Sequence, residues 1–150
     1  MDFLDAAHDE THGVNDKKHT ESAIINLFRK HYPDFPKGSL NPSESPDFIL
    51  GITPRQKIGI ELTGLHPDLS GSDLLSYENL TACLEAKNEK LRLYRKKKLQ
   101  EYWLIIHVND VDSWNRFNIH NKLIIWKFNT DFNRVFLFNT TAGKVIELNR

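Results

Sequence analysis

The sequence predicts an α/β or α+β domain built around a mixed β-sheet. Three observations point there. Two short runs rich in Ile and Leu, Asp47–Ile52 and Ile58–Thr63, flank the turn-forming Thr53-Pro54-Arg55-Gln56-Lys57. A long stretch from about Tyr77 to Lys98 holds no Gly or Pro and is rich in Leu, Ala, Glu and Lys, as a helix requires. It is followed by the nearly unbroken apolar run Tyr102–Val108, the pattern of a strand buried on both faces.

In chain order, residues 1–19 are polar without a sustained apolar period and read as an N-terminal tail; residues 20–150 read as one domain. Ile24, Ile25, Phe28 and Tyr32 recur at helical spacing and predict a helix from about Glu21 to Tyr32, stopped by Pro33 and Pro36. Residues 38–46 are loop-like in composition. The hairpin follows, then a second loop over 64–76 and the long helix. Beyond Tyr102–Val108 and a loop at 109–113, the stretch Trp114–His120 fits neither pattern. Leu123–Phe128, Arg134–Phe138 and Lys144–Leu148 read as strands, the last two joined by a turn at Gly143.

Composition narrows the function classes. The chain has 150 residues, 39% of them hydrophobic, with nine Phe, four Tyr and three Trp, which suffices for a core and argues against general disorder. No apolar run reaches the ~18–20 residues of a membrane span. The acidic N-terminus lacks the layout of a secretory signal, and Cys83 is the only cysteine, so a reducing, cytoplasmic setting is expected and a disulfide framework is not. Net charge is zero, which disfavours non-specific coating of nucleic acid, yet the charges segregate. Residues 1–16 carry acids only, whereas Lys87, Lys90, Arg92, Arg95, Lys96, Lys97 and Lys98 form a basic ridge along the long helix.

Three ionisable residues stand where ionisation is costly. At about 100° per residue, Leu80, Leu84, Leu91 and Tyr94 share one helix face and Lys87 lies about 20° from its centre. Such a lysine either runs its stem along the core with its head in water, or faces a polar cavity. Glu61 alternates with Ile60 and Leu62, so it points either to solvent or, in a central strand, to a covered face. Asp47 follows Pro46 at the start of the partner strand, a common place for a turn aspartate. A hairpin loop with an odd number of residues brings Asp47 opposite or diagonal to Glu61; an even loop needs a bulge to do so. Two carboxylates that close together call for a proton or a cation between them, and Mg²⁺ needs only one or two carboxylates with water and phosphate completing its shell.

Ser45-Pro46-Asp47-Phe48, then Ile58-Gly59-Ile60-Glu61-Leu62-Thr63, then a lysine-bearing helix and an apolar strand, together resemble the PD-(D/E)XK nuclease superfamily, the restriction-endonuclease-like fold. The likeness is to short, stand-alone members of bacterial type and spans roughly residues 20–148. It implies that Asp47 and Glu61 coordinate Mg²⁺, with Mn²⁺ as substitute, and that a lysine two residues after the Glu handles the attacking water. Thr63 holds that position here. Some members supply the amine from the next helix, which selects Lys87, with Lys90 at the edge of the stripe in reserve. The superfamily also presents an acid from its first helix, a place matched by Glu21, although a Glu in a first helical turn also suits the helix dipole.

The expected activity is therefore phosphodiester hydrolysis, with DNA as partner, no membrane, and a homodimer compatible with the reading. The alternative is an inactive binding, immunity or regulatory module on the same scaffold. In the nuclease reading Lys90, Arg92, Arg95, Lys96, Lys97 and Lys98 contact phosphates; otherwise they are a solvated helix terminus. His8-Asp9-Glu10-Thr11-His12 lacks the Glu and the apolar helix of a zinc-protease motif, and His107 and Cys83 read as strand and core residues.

Overall fold

The computed structural model describes residues 3–65, 75–95, 98–109 and 119–149, with side chains from residue 16 onward except at 119, 120 and 124. Helix α1 spans Phe3–His31, strand β1 Ser39–Pro42, β2 Phe48–Thr53, β3 Gln56–Gly64, α2 Tyr77–Tyr94, β4 Glu101–Val108, α3 Ile119–Ile125, β5 Arg134–Asn139 and β6 Lys144–Glu147. The strands form a single mixed sheet in the order β1-β2-β3-β4-β5-β6. β3, β4 and β5 run parallel, while β1–β2, β2–β3 and β5–β6 pair antiparallel. The fold is thus α+β with a mixed sheet.

The sheet separates two apolar layers. On one face Ile25 and Phe28 of α1 meet Phe48, Leu50, Ile58, Ile60, Leu62, Trp103, Ile105, Phe136 and Phe138. On the other, Leu80, Leu84, Leu91 and Tyr94 of α2 pack on Leu104, Ile106, Val108, Val135 and Leu137. Alternation sorts each strand's residues between the layers, and β4 contributes to both, as a strand buried on both faces must. Ser76 starts α2 by accepting the amide hydrogen of Asn79 on its side-chain oxygen, 3.1 Å, an N-cap followed by the four leucine and tyrosine anchors.

Several elements differ from the sequence expectation. α1 begins at Phe3, so most of the segment read as a tail is helical. Apart from Gly13 that segment contains no helix breaker, but its residues are mostly polar and carry no sustained apolar period to detect. Residues 39–42, read as loop, form an edge strand, a position that tolerates Pro42. The reading of Leu123–Phe128 as a strand is corrected: Ile119–Ile125 is helical. This helix lies between two parallel neighbours, and such strands need a crossover, usually helical. Leu123 is buried while Ile125 is 77% exposed, which no strand buried on both faces allows. α2 ends at Tyr94 rather than Lys98. There the Tyr102 hydroxyl donates to the Arg95 carbonyl and accepts from the Leu99 amide, and Lys98 turns into the left-handed region at φ 54°. The unassigned stretch 114–118, the side chains of His8 and His12, and Lys96 and Lys97 lie outside the described residues.

Candidate functional site

The hairpin resolves the choice of loop. Thr53 pairs with Gln56 across Pro54-Arg55, an even loop, and the register shifts between Gly51 and Thr53. The bulge restores the alignment Gly51–Lys57, Leu50–Ile58, Ile49–Gly59 and Phe48–Ile60. One step further, Asp47 meets Glu61 on the side facing α2. The Asp47 amide donates to Glu61 Oε1 at 3.3 Å, and Asp47 Oδ2 accepts from the Leu62 amide at 2.9 Å.

The backbone around Asp47 is held from three sides. Its carbonyl accepts from the Ser43 amide at 2.8 Å and from Lys18 Nζ at 3.2 Å. Pro46, buried just before it, occupies space left by Gly59: a Cβ there would lie 2.8 Å from Pro46 Cγ and 2.8 Å from Leu99 Cδ1. Gly59 is therefore required for close approach.

Glu61 is buried, 6% exposed, and its Oε2 accepts from Lys87 Nζ at 3.2 Å. Lys87 therefore neither snorkels to solvent nor stands unpaired: its ammonium ends on the hairpin's buried carboxylate. Burial, then the hydrogen bond and the charge of Glu61, push the Asp47 carboxyl up to about 6; the Leu62 amide and Lys18 act in the opposite direction. Asp47 and Glu61 thus compete for one cation or one proton. Glu21 joins them from α1. It pairs with Lys18 at 3.1 Å, and Lys18 also donates to the Ser43 carbonyl at 2.8 Å.

These groups border one cavity of about 430 Å³, lined by Lys17, Glu21, Glu44, Asp47, Glu61, Lys87, Lys90 and Tyr94 among others. An adjoining cavity of about 490 Å³ shares Lys17, Glu21, Leu62 and Lys87 and continues past Thr63 and Gly64 to His107. Together they form a groove at the carboxyl end of β3, lined from α1 by Lys17 and Glu21 and from α2 by Lys87 and Lys90. Open α/β sheets commonly bind ligands outside the carboxyl ends of their strands.

Of the residues expected from sequence, Asp47, Glu61, Lys87, Glu21 and Lys90 line the cavity together. Arg92 and Arg95 do not. Arg92 lies 3.7 Å from the Asp131 carboxylate and Arg95 Nη2 donates to the Asp131 carbonyl at 3.1 Å, on the flank of α2 that faces the loop before β5. Among the described residues the basic run is therefore not one continuous face, because successive helix positions rotate by about 100°. Thr63, at the position where the resemblance calls for a lysine, shares a hydrogen bond with the Cys83 thiol, whose pKa burial raises.

Sequence reasoning missed Lys17, Lys18 and the Tyr94 hydroxyl. The lysines fell in the segment taken as a tail. Tyr94 was counted only as an apolar anchor, although a tyrosine in a core stripe also brings a hydroxyl that needs a partner. Burial, the Glu61 and Asp47 carboxylates and Tyr102 all raise its pKa, so it keeps its proton.

The residues fit a hard divalent cation: two converging carboxylates, one pushed toward its neutral form by burial and then by the other, border a polar cavity large enough for water. Among the described residues no three His, Cys, Asp or Glu side chains converge as a closed metal cluster. Mg²⁺ does not require one, since water and phosphate oxygens complete its shell. Compared with protein-family models, curated proteins and solved structures, the chain matches none of them.

Proposed function

We propose that this protein is a Mg²⁺-dependent nuclease with a restriction-endonuclease-like core that hydrolyses phosphodiester bonds, with DNA as the substrate. One observation carries the reading. Asp47 just before β2, Glu61 on β3 and Lys87 on α2 bring two carboxylates and an ammonium to one cavity.

Asp47 and Glu61 would hold the cation, and Mn²⁺ would substitute for Mg²⁺. Bound there, the ion supplies a water of lowered pKa and offsets charge on the phosphoryl oxygens. Lys87 sits beside Glu61 with donors to orient the attacking water and to offset developing negative charge. Lys18 and the Leu62 amide fix Asp47 in place, so little reorganisation precedes reaction. In the net reaction water adds across a P–O bond, which breaks to leave a phosphomonoester and a free hydroxyl. Lys17 and Lys90 add positive charge at the rim for the flanking phosphates.

A second reading, a non-catalytic binding or immunity module on this scaffold, is favoured by Thr63, which puts no amine at the usual motif position. One experiment separates the two. Supercoiled and linear DNA are incubated with Mg²⁺ or Mn²⁺ and wild-type, Asp47→Ala or Lys87→Ala protein. The nuclease reading expects cleavage by wild type alone, with losses of about 10³-fold or more in the variants, the scale at which removal of an essential catalytic group acts. Equal inactivity of all three, or equal activity, overturns it.

A further inference from the structure

Tyr94 lies seven residues after Lys87 on α2, about two turns, and therefore on the same helix face. Side chains on a helix lean toward its N-terminus, which carries the Tyr94 ring back toward the Lys87 turn. The residue is only 8% exposed and lines the cavity that Asp47, Glu61 and Lys87 share, while its hydroxyl is itself fully buried. Among the described residues that hydroxyl has no hydrogen-bond partner. The neighbouring polar groups are committed elsewhere: Glu61 accepts from Lys87 and the Asp47 amide, and the Tyr102 hydroxyl serves Arg95 and Leu99.

A buried hydroxyl without a partner carries a desolvation cost that packing alone does not recover, and Phe would fill the same space without it. A hydroxyl retained there is explained if a ligand supplies the missing acceptor. In a cavity with a cation-binding pair and lysines at its rim, the fitting acceptor is an anionic oxygen.

We infer that the Tyr94 hydroxyl donates a hydrogen bond to a non-bridging oxygen of the bound phosphodiester, making Tyr94 a phosphate-binding residue of the site. The inference deepens the nuclease reading and rests on it. Lys87 and Tyr94 then address different atoms: the ammonium serves the water and the hydroxyl holds the phosphoryl group. A fixed neutral donor suits an oxyanion whose charge grows in the transition state.

The test compares wild type, Tyr94→Phe and Asp47→Ala on one DNA duplex with Mn²⁺, and on the same duplex with each non-bridging oxygen of the cleaved phosphate replaced in turn by sulfur. Tyr94→Phe is expected to melt no lower than wild type and to lose about 10- to 100-fold in kcat/KM, the scale of one hydrogen bond to a charged acceptor. Sulfur accepts poorly, so substitution at the oxygen that Tyr94 holds should slow wild type more than Tyr94→Phe. A structural role alone would not produce that difference. Full kcat/KM in Tyr94→Phe, or equal sulfur effects in both proteins, overturns the role of Tyr94 and leaves the nuclease reading standing. Wild-type protein as inert as Asp47→Ala overturns both.

Discussion

Asp47 concentrates the electrostatic tension of the molecule in one side chain. Its carboxyl, pushed up to about 6, lies above the ~3.9 of an unfolded aspartate. Between these values the native state holds a proton that the unfolded chain has released, so stability falls as pH rises from about 4 to about 6 and stays lower above it. Asp47→Asn keeps an oxygen for the Leu62 amide and removes the charge. Without added metal it should flatten that pH dependence and melt higher than wild type at pH 7.5. Discounted for partial exposure, the gain is about 1–2 kcal/mol, or about 2–8 °C for a chain of this length. Thermal melts from pH 4 to 8 check it; a variant that melts lower at pH 7.5 contradicts the assignment. Lys87 shows what was legible at this scale. A lysine near the centre of an apolar stripe left two readings open, a snorkelling stem or a polar cavity, and the structure supplies Glu61. Lys18 gave no sign of a site, because beyond its neighbour Glu21 its partners, the carbonyls of Ser43 and Asp47, are backbone atoms distant in sequence.

Among the elements, the β2–β3 hairpin does most to build the site. Its two strands were readable from their Ile and Leu runs, and so was the requirement that Asp47 and Glu61 share a face. Local pattern leaves the choice between an odd loop and a bulge open, although Gly51, which adjoins the bulge at Ile52, is the one compositional mark of it. Gly59 ties this hairpin to the site by admitting Pro46. Gly59→Ala should cost about 1–3 kcal/mol by overpacking and, by shifting Pro46 and with it Asp47, should reduce metal-dependent cleavage more than melting temperature alone explains. Combined melting and cleavage assays check this; a variant with wild-type values in both would show that the close approach is not needed. The helices were less legible. α1 was recognised only where its apolar face touches the sheet, since its N-terminal half has no periodicity. α3 was mistaken for a strand because a short apolar run has no decisive period, and the need for a crossover between β4 and β5 appears only once the sheet order is known.

Across the whole molecule, the sheet keeps two apolar layers apart and leaves a groove lined by α1, α2 and the end of β3. The neutral net charge conceals this arrangement, because lysines and acids are gathered around the groove while Arg92 and Arg95 turn to Asp131. No described helix is long and apolar enough to cross a membrane. The α+β class, the central strand and three of the converging side chains could be read from local pattern. The groove could not, because it depends on how far α1 extends and on which flank of α2 each cation occupies. In the proposed reading Asp47 and Glu61 jointly hold a divalent cation, and calorimetric titration of Mn²⁺ into wild-type and Glu61→Gln protein at pH 7.5 shows whether they do. Saturable binding to wild type is expected, weakened by about 100-fold or more in Glu61→Gln, since even an outer-shell partner commonly contributes 10–100-fold. No binding to wild type, or the same affinity in both proteins, would contradict it.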